Sequence, residues 1–140
     1  MKPPNAPVFF IDRSLGKHVV AGALRQAAAR VEVHDDHFPK DALDIEWLAE
    51  AGQRKWIVLT KDKRMRHRIL EVATIANARV RVFTLTAQDL QGFEMAAIFV
   101  KALPKMSGFA LGNPPPFIAT VSKSGAVSMM LSAKKLRRYA

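Results

Sequence analysis

Trp56-Ile57-Val58-Leu59-Thr60 is a short apolar run, rich in β-branched residues, that breaks off into the polar turn Lys61-Asp62-Lys63. It is too short for a helix and shows no polar alternation, so it reads as a strand buried on both faces, the kind found in parallel sheets. Val8-Phe9-Phe10-Ile11 repeats the pattern and ends in Asp12. Apolar residues at helical spacing follow each run: a helix is expected over residues 15–29, another over 41–51 closed by Gly52, and a third over 63–77. Val31-Glu32-Val33-His34 and Val80-Arg81-Val82-Phe83-Thr84 supply two more strands. Such strand–helix alternation argues for an α/β fold with a parallel sheet covered on both faces. A further helix over 88–103 is expected to stop at Pro104. Residues 117–131 then read as a β-hairpin with a Gly-containing turn, appended to a core of residues 8–103, and 132–140 as a mobile basic tail. The whole chain, 1–140, is expected to be one domain.

No run reads as long enough to span a membrane, and residues 1–7 lack the apolar segment of a signal peptide, so a cytoplasmic protein without a membrane partner is expected. There is no cysteine, which removes disulfides and thiolate metal sites and leaves oxygen or imidazole as ligands. Lys plus Arg outnumber Asp plus Glu by 22 to 12, a net +10 that suits a polyanion such as nucleic acid. After Glu94 there is no acid, while Lys101, Lys105, Lys123, Lys134, Lys135, Arg137 and Arg138 follow. The plainer reading of this charge is a surface that keeps the protein in solution.

Asp12 and Asp62 stand at the carboxyl ends of buried strands, where open α/β sheets bind their ligands. The competing role for Asp62 is a helix N-cap. At 100° per residue, Leu43, Trp47, Leu48 and Ala51 form one apolar stripe that includes Asp44 and leaves out Glu46 and Glu50, so Asp44 is expected to face inward. Its competing role is the third helical position behind an Asp41 cap. In a right-handed parallel layout Asp12, Asp44 and Asp62 come to the same sheet edge. Converging carboxylates are what Mg²⁺ or Mn²⁺ requires, and on a phosphodiester such ions activate water and stabilise the leaving oxygen. Lys61, Lys63, Arg64, Arg66 and Arg68 crowd beside Asp62, while Met65, Ile69, Val72, Ala73 and Ala76 form that helix's core stripe. The cations are either a solvated face or a phosphate guide, with Lys61 and Arg64 foremost. His34-Asp35-Asp36-His37 could hold a transition metal or simply be the polar exit of a strand, and Asp35 or Asp36 could be a peripheral fourth acid. No GxGxxG, P-loop or GxSxG is present, and the two tryptophans read as core.

Phe10-Ile11-Asp12, Leu43-Asp44-Ile45-Glu46-Trp47-Leu48 and Leu59-Thr60-Lys61-Asp62-Lys63 resemble, in order, three motifs of the PIN-like nuclease domains. The likeness is greatest to the small kind found as the toxin of bacterial toxin–antitoxin pairs. It covers residues 8–84, and the 117–131 hairpin resembles an extension of one subgroup. The resemblance implies a three-layer α/β/α fold, Mg²⁺- or Mn²⁺-dependent cleavage of RNA, and a cognate antitoxin as partner. Asp12, Asp44 and Asp62 would then be catalytic metal ligands with Glu46 as a further one, and Lys61, Lys63, Arg64 and Arg68 would contact nucleic acid. Many members carry another acid two residues past the Thr-x-Asp acid. Here that position is Arg64, which leaves a weaker second metal site or a single ion. The rival readings are a receiver-like domain that binds Mg²⁺ and accepts a phosphoryl group, and a basic RNA-binding domain without catalysis. A homodimer is one of the open oligomeric states.

Overall fold

The computed structural model describes residues 6–140; residues 1–5, on which most of the signal-peptide reading rested, lie outside the described residues. Strands β1 (Val8–Ile11), β2 (Arg30–Val33), β3 (Ile57–Thr60), β4 (Arg81–Leu85), β5 (Phe117–Val121) and β6 (Val127–Leu131) form one sheet among the described residues, in the order β2-β1-β3-β4-β5-β6. All neighbours are parallel except the β5–β6 pair. Helices α1 (Val19–Gln26) and α4 (Gly92–Gly112) cover one face, and α2 (Asp44–Gln53), α3 (Ile69–Ala78) and the short α5 (Ala133–Leu136) cover the other. The three-layer α/β/α arrangement is the one expected.

The pleat sorts the strands into two cores. Phe9, Ile11, Ile57, Leu59, Phe83 and Leu85 pack under α1 and α4, while Phe10, Val58, Val82 and Ile118 pack under α2 and α3. Burial on both faces is why these strands carry unbroken apolar runs.

Several expected boundaries are corrected. The first helix starts at Val19, because residues 13–15 make a 3-10 turn and Gly16 follows at φ +82°, outside helical space. The second starts at Asp44 with Leu43 as N-cap, so Asp41 caps nothing. Gly52 lies inside α2 instead of closing it: a Cβ there would collide with the backbone oxygen of Ala78 and stand 2.7 Å from the Ala78 Cβ, so glycine is what lets α2 and α3 approach. The third helix starts at Ile69, after a 3-10 turn over Met65–His67. Its buried residues include Val72, Ile75 and Ala76, whereas Ile69 is 73% exposed and leaves the expected stripe.

Pro104 does not stop α4, which runs on to Gly112. A mid-helix proline costs about 3 kcal/mol. Beyond it Met106 is fully buried, worth about 1.5–3 kcal/mol, Ala110 is buried, and the half-buried Phe109 ring meets Phe83 and Phe117 edge-on at 5.8 and 5.1 Å. The helix therefore continues. By length and composition α4, with 21 residues, also meets the measure of a membrane span, against the reading that no run does. In this fold its Met95, Ile98, Phe99, Ala102 and Met106 belong to the core beneath α1.

The hairpin is no appendage. β5 pairs in parallel with β4 over its whole length, and Phe117, Ile118, Ala119 and Val121 are buried. The basic tail is anchored as well, since Leu136 on α5 is fully buried against α3.

One departure shapes the surface. From β3 to β4 to β5 the chain keeps moving the same way across the sheet, yet α3 lies on one face and α4 on the other. The β4–α4–β5 connection thus has the opposite hand to β3–α3–β4. Past α3, no long helix among the described residues lies over β4 and β5 on the α2/α3 face.

Candidate active site

The chain leaves β1 for β2 on one side and returns to β3 on the other, so the carboxyl ends of β1 and β3 flank the switch point where α/β sheets open a crevice. Asp12 directly follows β1, and its N–H donates to the Leu59 carbonyl at 3.1 Å. Ile11 pairs with Leu59, so one step further Asp12 stands beside Thr60. The Thr60 hydroxyl donates to Asp12 Oδ2 at 2.7 Å, and the Ser14 hydroxyl donates to the same oxygen at 2.9 Å. Thr60 Oγ1 in turn accepts the Asp62 N–H at 3.0 Å, and Ser14 Oγ accepts the Lys61 N–H at 3.2 Å. The threonine of the Thr-x-Asp motif is therefore the clamp that joins the two strand ends. Asp12 is 8% exposed, and no Lys or Arg pairs with it among the described residues. Burial pushes its carboxyl above the usual range despite the two hydroxyls, and the charge of Asp44 pushes the same way.

Asp44 is the first residue of α2, half-buried, with Oδ1 accepting the Trp47 indole N–H at 2.9 Å. Trp47 is core, as expected, and it also positions this acid. The helix phase is turned from the expected one, since Leu43 is 60% exposed and Asp44 sits at the rim of the buried stripe. Glu46 points away: its carboxylate accepts the Leu43 N–H at 3.0 Å, back at the start of its own helix.

Asp62 is not a helix cap, because α3 begins only at Ile69. Its Oδ1 accepts the Arg64 N–H at 3.0 Å within its own turn, and its Oδ2 accepts from Arg68 Nη1 at 2.9 Å. That same nitrogen lies 3.5 Å from Asp44 Oδ2 and 3.3 Å from Glu71 Oε1. Arg68, expected with Lys61, Lys63 and Arg64 to contact nucleic acid, is exposed and ties three carboxylates together. Lys63 and Arg64 are exposed and Lys61 half-buried, with no acid partner for any of them among the described residues.

Glu71 is the residue that the sequence reading missed. It is buried, and burial first, then the hydrogen bond and charge of Asp44, push its carboxyl to about 7. A signal for it existed: taking Ile75 instead of Ile69 as the core position turns Glu71 inward at 100° per residue. With the folded value raised from 4.5 to about 7, the unfolded chain ionises first as pH rises. The stability Glu71 contributes is full below about 4.5 and is lost as pH climbs to about 7. Thermal melts in chelator should show the wild type falling across that window and Glu71→Gln falling less; parallel curves would refute the shift.

The His34–His37 stretch is engaged elsewhere. Asp35 pairs with Arg13 at 2.9 Å, Lys17 at 3.4 Å and His34 Nδ1 at 3.1 Å, which hold its carboxyl low, the His34 bond foremost. His37 Nε2 meets Glu32 at 2.6 Å. Among the described residues no three His, Asp or Glu side chains are arranged to hold a metal directly. The donor chemistry around Asp12, Asp44 and Asp62 nonetheless suits a hard divalent ion: oxygen donors only, one buried without a cation, the others gathered on a guanidinium nitrogen that stands where positive charge is called for.

Residues 7–87, more than half of the chain, match the family described as PIN like domain. A curated protein of Mycobacterium tuberculosis, named "Putative ribonuclease VapC45", is 30% identical over 125 residues, covering 86% of this chain and 90% of that protein. No solved structure matches. The switch-point carboxylates, the Thr60 clamp and strands β1 to β4 thus lie within the matched segment, and the chain belongs to the PIN-like domain family.

Proposed function

We propose that this chain is an endoribonuclease that cuts RNA phosphodiesters with a divalent ion, Mg²⁺ or Mn²⁺. We further propose that it is the toxin of a cytoplasmic toxin–antitoxin pair, held in check by a cognate antitoxin protein. The observation that carries the reading is Asp12, a buried carboxylate with no cation partner among the described residues, fixed by two hydroxyls at the switch point and facing the charge of Asp44. A fold does not keep such a group for stability, because a buried unpaired charge is costly. The ribonuclease name of the 30% identical relative points the same way.

Asp12, Asp44 and Asp62 would hold the ion, which when bound supplies an activated water and neutralises charge at the phosphate. The chain's own residues do the rest. Thr60 and Ser14 orient Asp12, and Trp47 orients Asp44. Arg68 balances Asp44, Asp62 and Glu71, and so competes with the ion for those oxygens. Lys61, Lys63 and Arg64 draw the RNA backbone towards the acids. Glu46 stays with its helix cap.

Incubation of the purified chain with single-stranded RNA tests this. Cleavage is expected in Mg²⁺ or Mn²⁺, is expected to stop with chelator and to return when the ion is restored; cleavage that ignores chelator, or none at all, overturns the reading. Within the same assay, Asp44→Asn should cost more than the roughly 10–100-fold lost with an outer partner of a metal site. Glu46→Gln should change the rate little, since an amide oxygen still accepts the Leu43 N–H. The reverse ranking would move the site along α2. Growth arrest on induction of the chain, absent with Asp12→Asn, checks the toxin role.

A further inference from the structure

Next to the carboxylates, on the part of the α2/α3 face that α4 leaves uncovered, lies a cavity of about 190 Å³. Strand register builds its floor. Thr60 pairs with Thr84 and Thr84 with Thr120, so the three form one row across β3, β4 and β5, on the same face as Val58, Val82 and Ile118. The Thr60 hydroxyl is bonded to Asp12 at 2.7 Å and the Thr120 hydroxyl to the Ser128 carbonyl at 3.5 Å. The Thr84 hydroxyl is buried and has no hydrogen-bond partner among the described residues. Buried hydroxyls are nearly always bonded, so this one is left over on a cavity wall for something outside the chain. Met65, Val82, Ile118 and Met130 line the cavity, with the exposed Lys63 and Arg66 also at its edge.

We infer that this cavity takes one nucleobase of the RNA, beside the phosphate being cut, through the Thr84 hydroxyl and the Met65 and Met130 thioethers, and thereby sets base preference. The inference rests on the ribonuclease reading. Four observations favour a base over other occupants. The volume is below the roughly 300–1,000 Å³ of pockets for drug-sized ligands, so it suits one small ring system. Thioethers make favourable contacts with flat aromatic rings. A base edge offers the donors and acceptors that a lone buried hydroxyl lacks, and single-stranded RNA presents its bases unstacked for this kind of reading. Asp62 lines the cavity and also belongs to the carboxylate cluster, while Lys63 and Arg66 supply charge for the attached phosphates.

Two measurements test it. In chelator, the four nucleoside 5′-monophosphates are titrated into the full chain and followed by the methyl NMR signals of Thr84, Val82 and Ile118. One base should bind about tenfold tighter than the weakest, the scale of one hydrogen bond. Thr84→Val should erase that difference, and Thr86→Phe, which sets a ring at an exposed position lining the cavity, should abolish binding. Equal binding of all four, or none, overturns the inference whatever the nuclease activity. In Mg²⁺, cut ends from a randomised single-stranded RNA should favour the same base at one position flanking the cut, and Thr84→Val should flatten that preference about tenfold. A preference that Thr84→Val leaves unchanged also overturns it. Base-selective mononucleotide binding by a wild type that cuts no RNA would support the cavity while overturning the ribonuclease reading.

Discussion

Asp12→Asn is expected to lower RNA cleavage by about 10³-fold, the size typical of losing one preorganised charged group, while the metal-free protein melts higher than the wild type. Burial raises the folded pKa of Asp12 above its ordinary 3.8, with Asp44 adding to the effect. At pH well below 3.8 the group is neutral in both folded and unfolded chains and costs nothing. As pH rises, the unfolded chain ionises first, and the stability held at low pH is lost through the folded pKa. Asparagine carries no charge to desolvate, and its oxygen still accepts from Thr60 and Ser14. Melting curves in chelator should therefore coincide at low pH and separate above it, with the variant on top. A variant that melts lower throughout would make Asp12 a structural residue. Asp62 should not behave alike, because its charge is matched by Arg68 at 2.9 Å.

Phe10→Ala is expected to cost about 3–5 kcal/mol, a large share of the 5–15 kcal/mol that holds a domain together. The ring is fully buried, stacked on Trp56 at 5.2 Å and 8°, tilted on Trp47 at 5.5 Å and met edge-on by Phe38 at 6.0 Å. Its strand is hydrogen-bonded on both sides, to β2 and to β3, so the walls cannot close over the hole. Urea unfolding should show a lower midpoint with an unchanged slope. A loss under about 1.5 kcal/mol would mean that the cluster repacks. The consequence reaches the site, since the same Trp47 that leans on Phe10 holds Asp44 through its indole N–H. Phe10→Ala should thus weaken cleavage at temperatures where the variant is still folded.

The strands β1 and β3 and the acids at their ends were legible because a strand buried on both faces has to be apolar throughout, and the first polar residue after it marks the sheet's edge. Asp12 and Asp62 could be named for that reason, Asp44 from its place beside the apolar stripe of its helix, and the order of the three motifs pointed to the family. Local pattern failed where tertiary contacts outweighed it. Pro104 is a stop signal that the burial of Met106 and Ala110 and the packing of Phe109 override. Gly52 is a cap signal that close approach to Ala78 turns into a packing requirement. The hairpin read as an attachment because nothing local says that β5 will lie against β4.

Sequence alone determined the alternation, the parallel sheet and the acids at its edge, since all three follow from which residues can tolerate full burial. Tertiary structure decided the partners. Only the fold could bring Arg68 and Glu71 into the carboxylate cluster, because a pairing over one turn of α3 and across to α2 and the β3 exit depends on where that helix starts and how it is turned. Only the fold could put α4 opposite α3 and leave the Thr84 hydroxyl buried and without a partner among the described residues. The reason is the same in both cases: period and propensity act over a few residues, while the pairing of a buried polar group depends on which elements the chain brings together across the whole sheet.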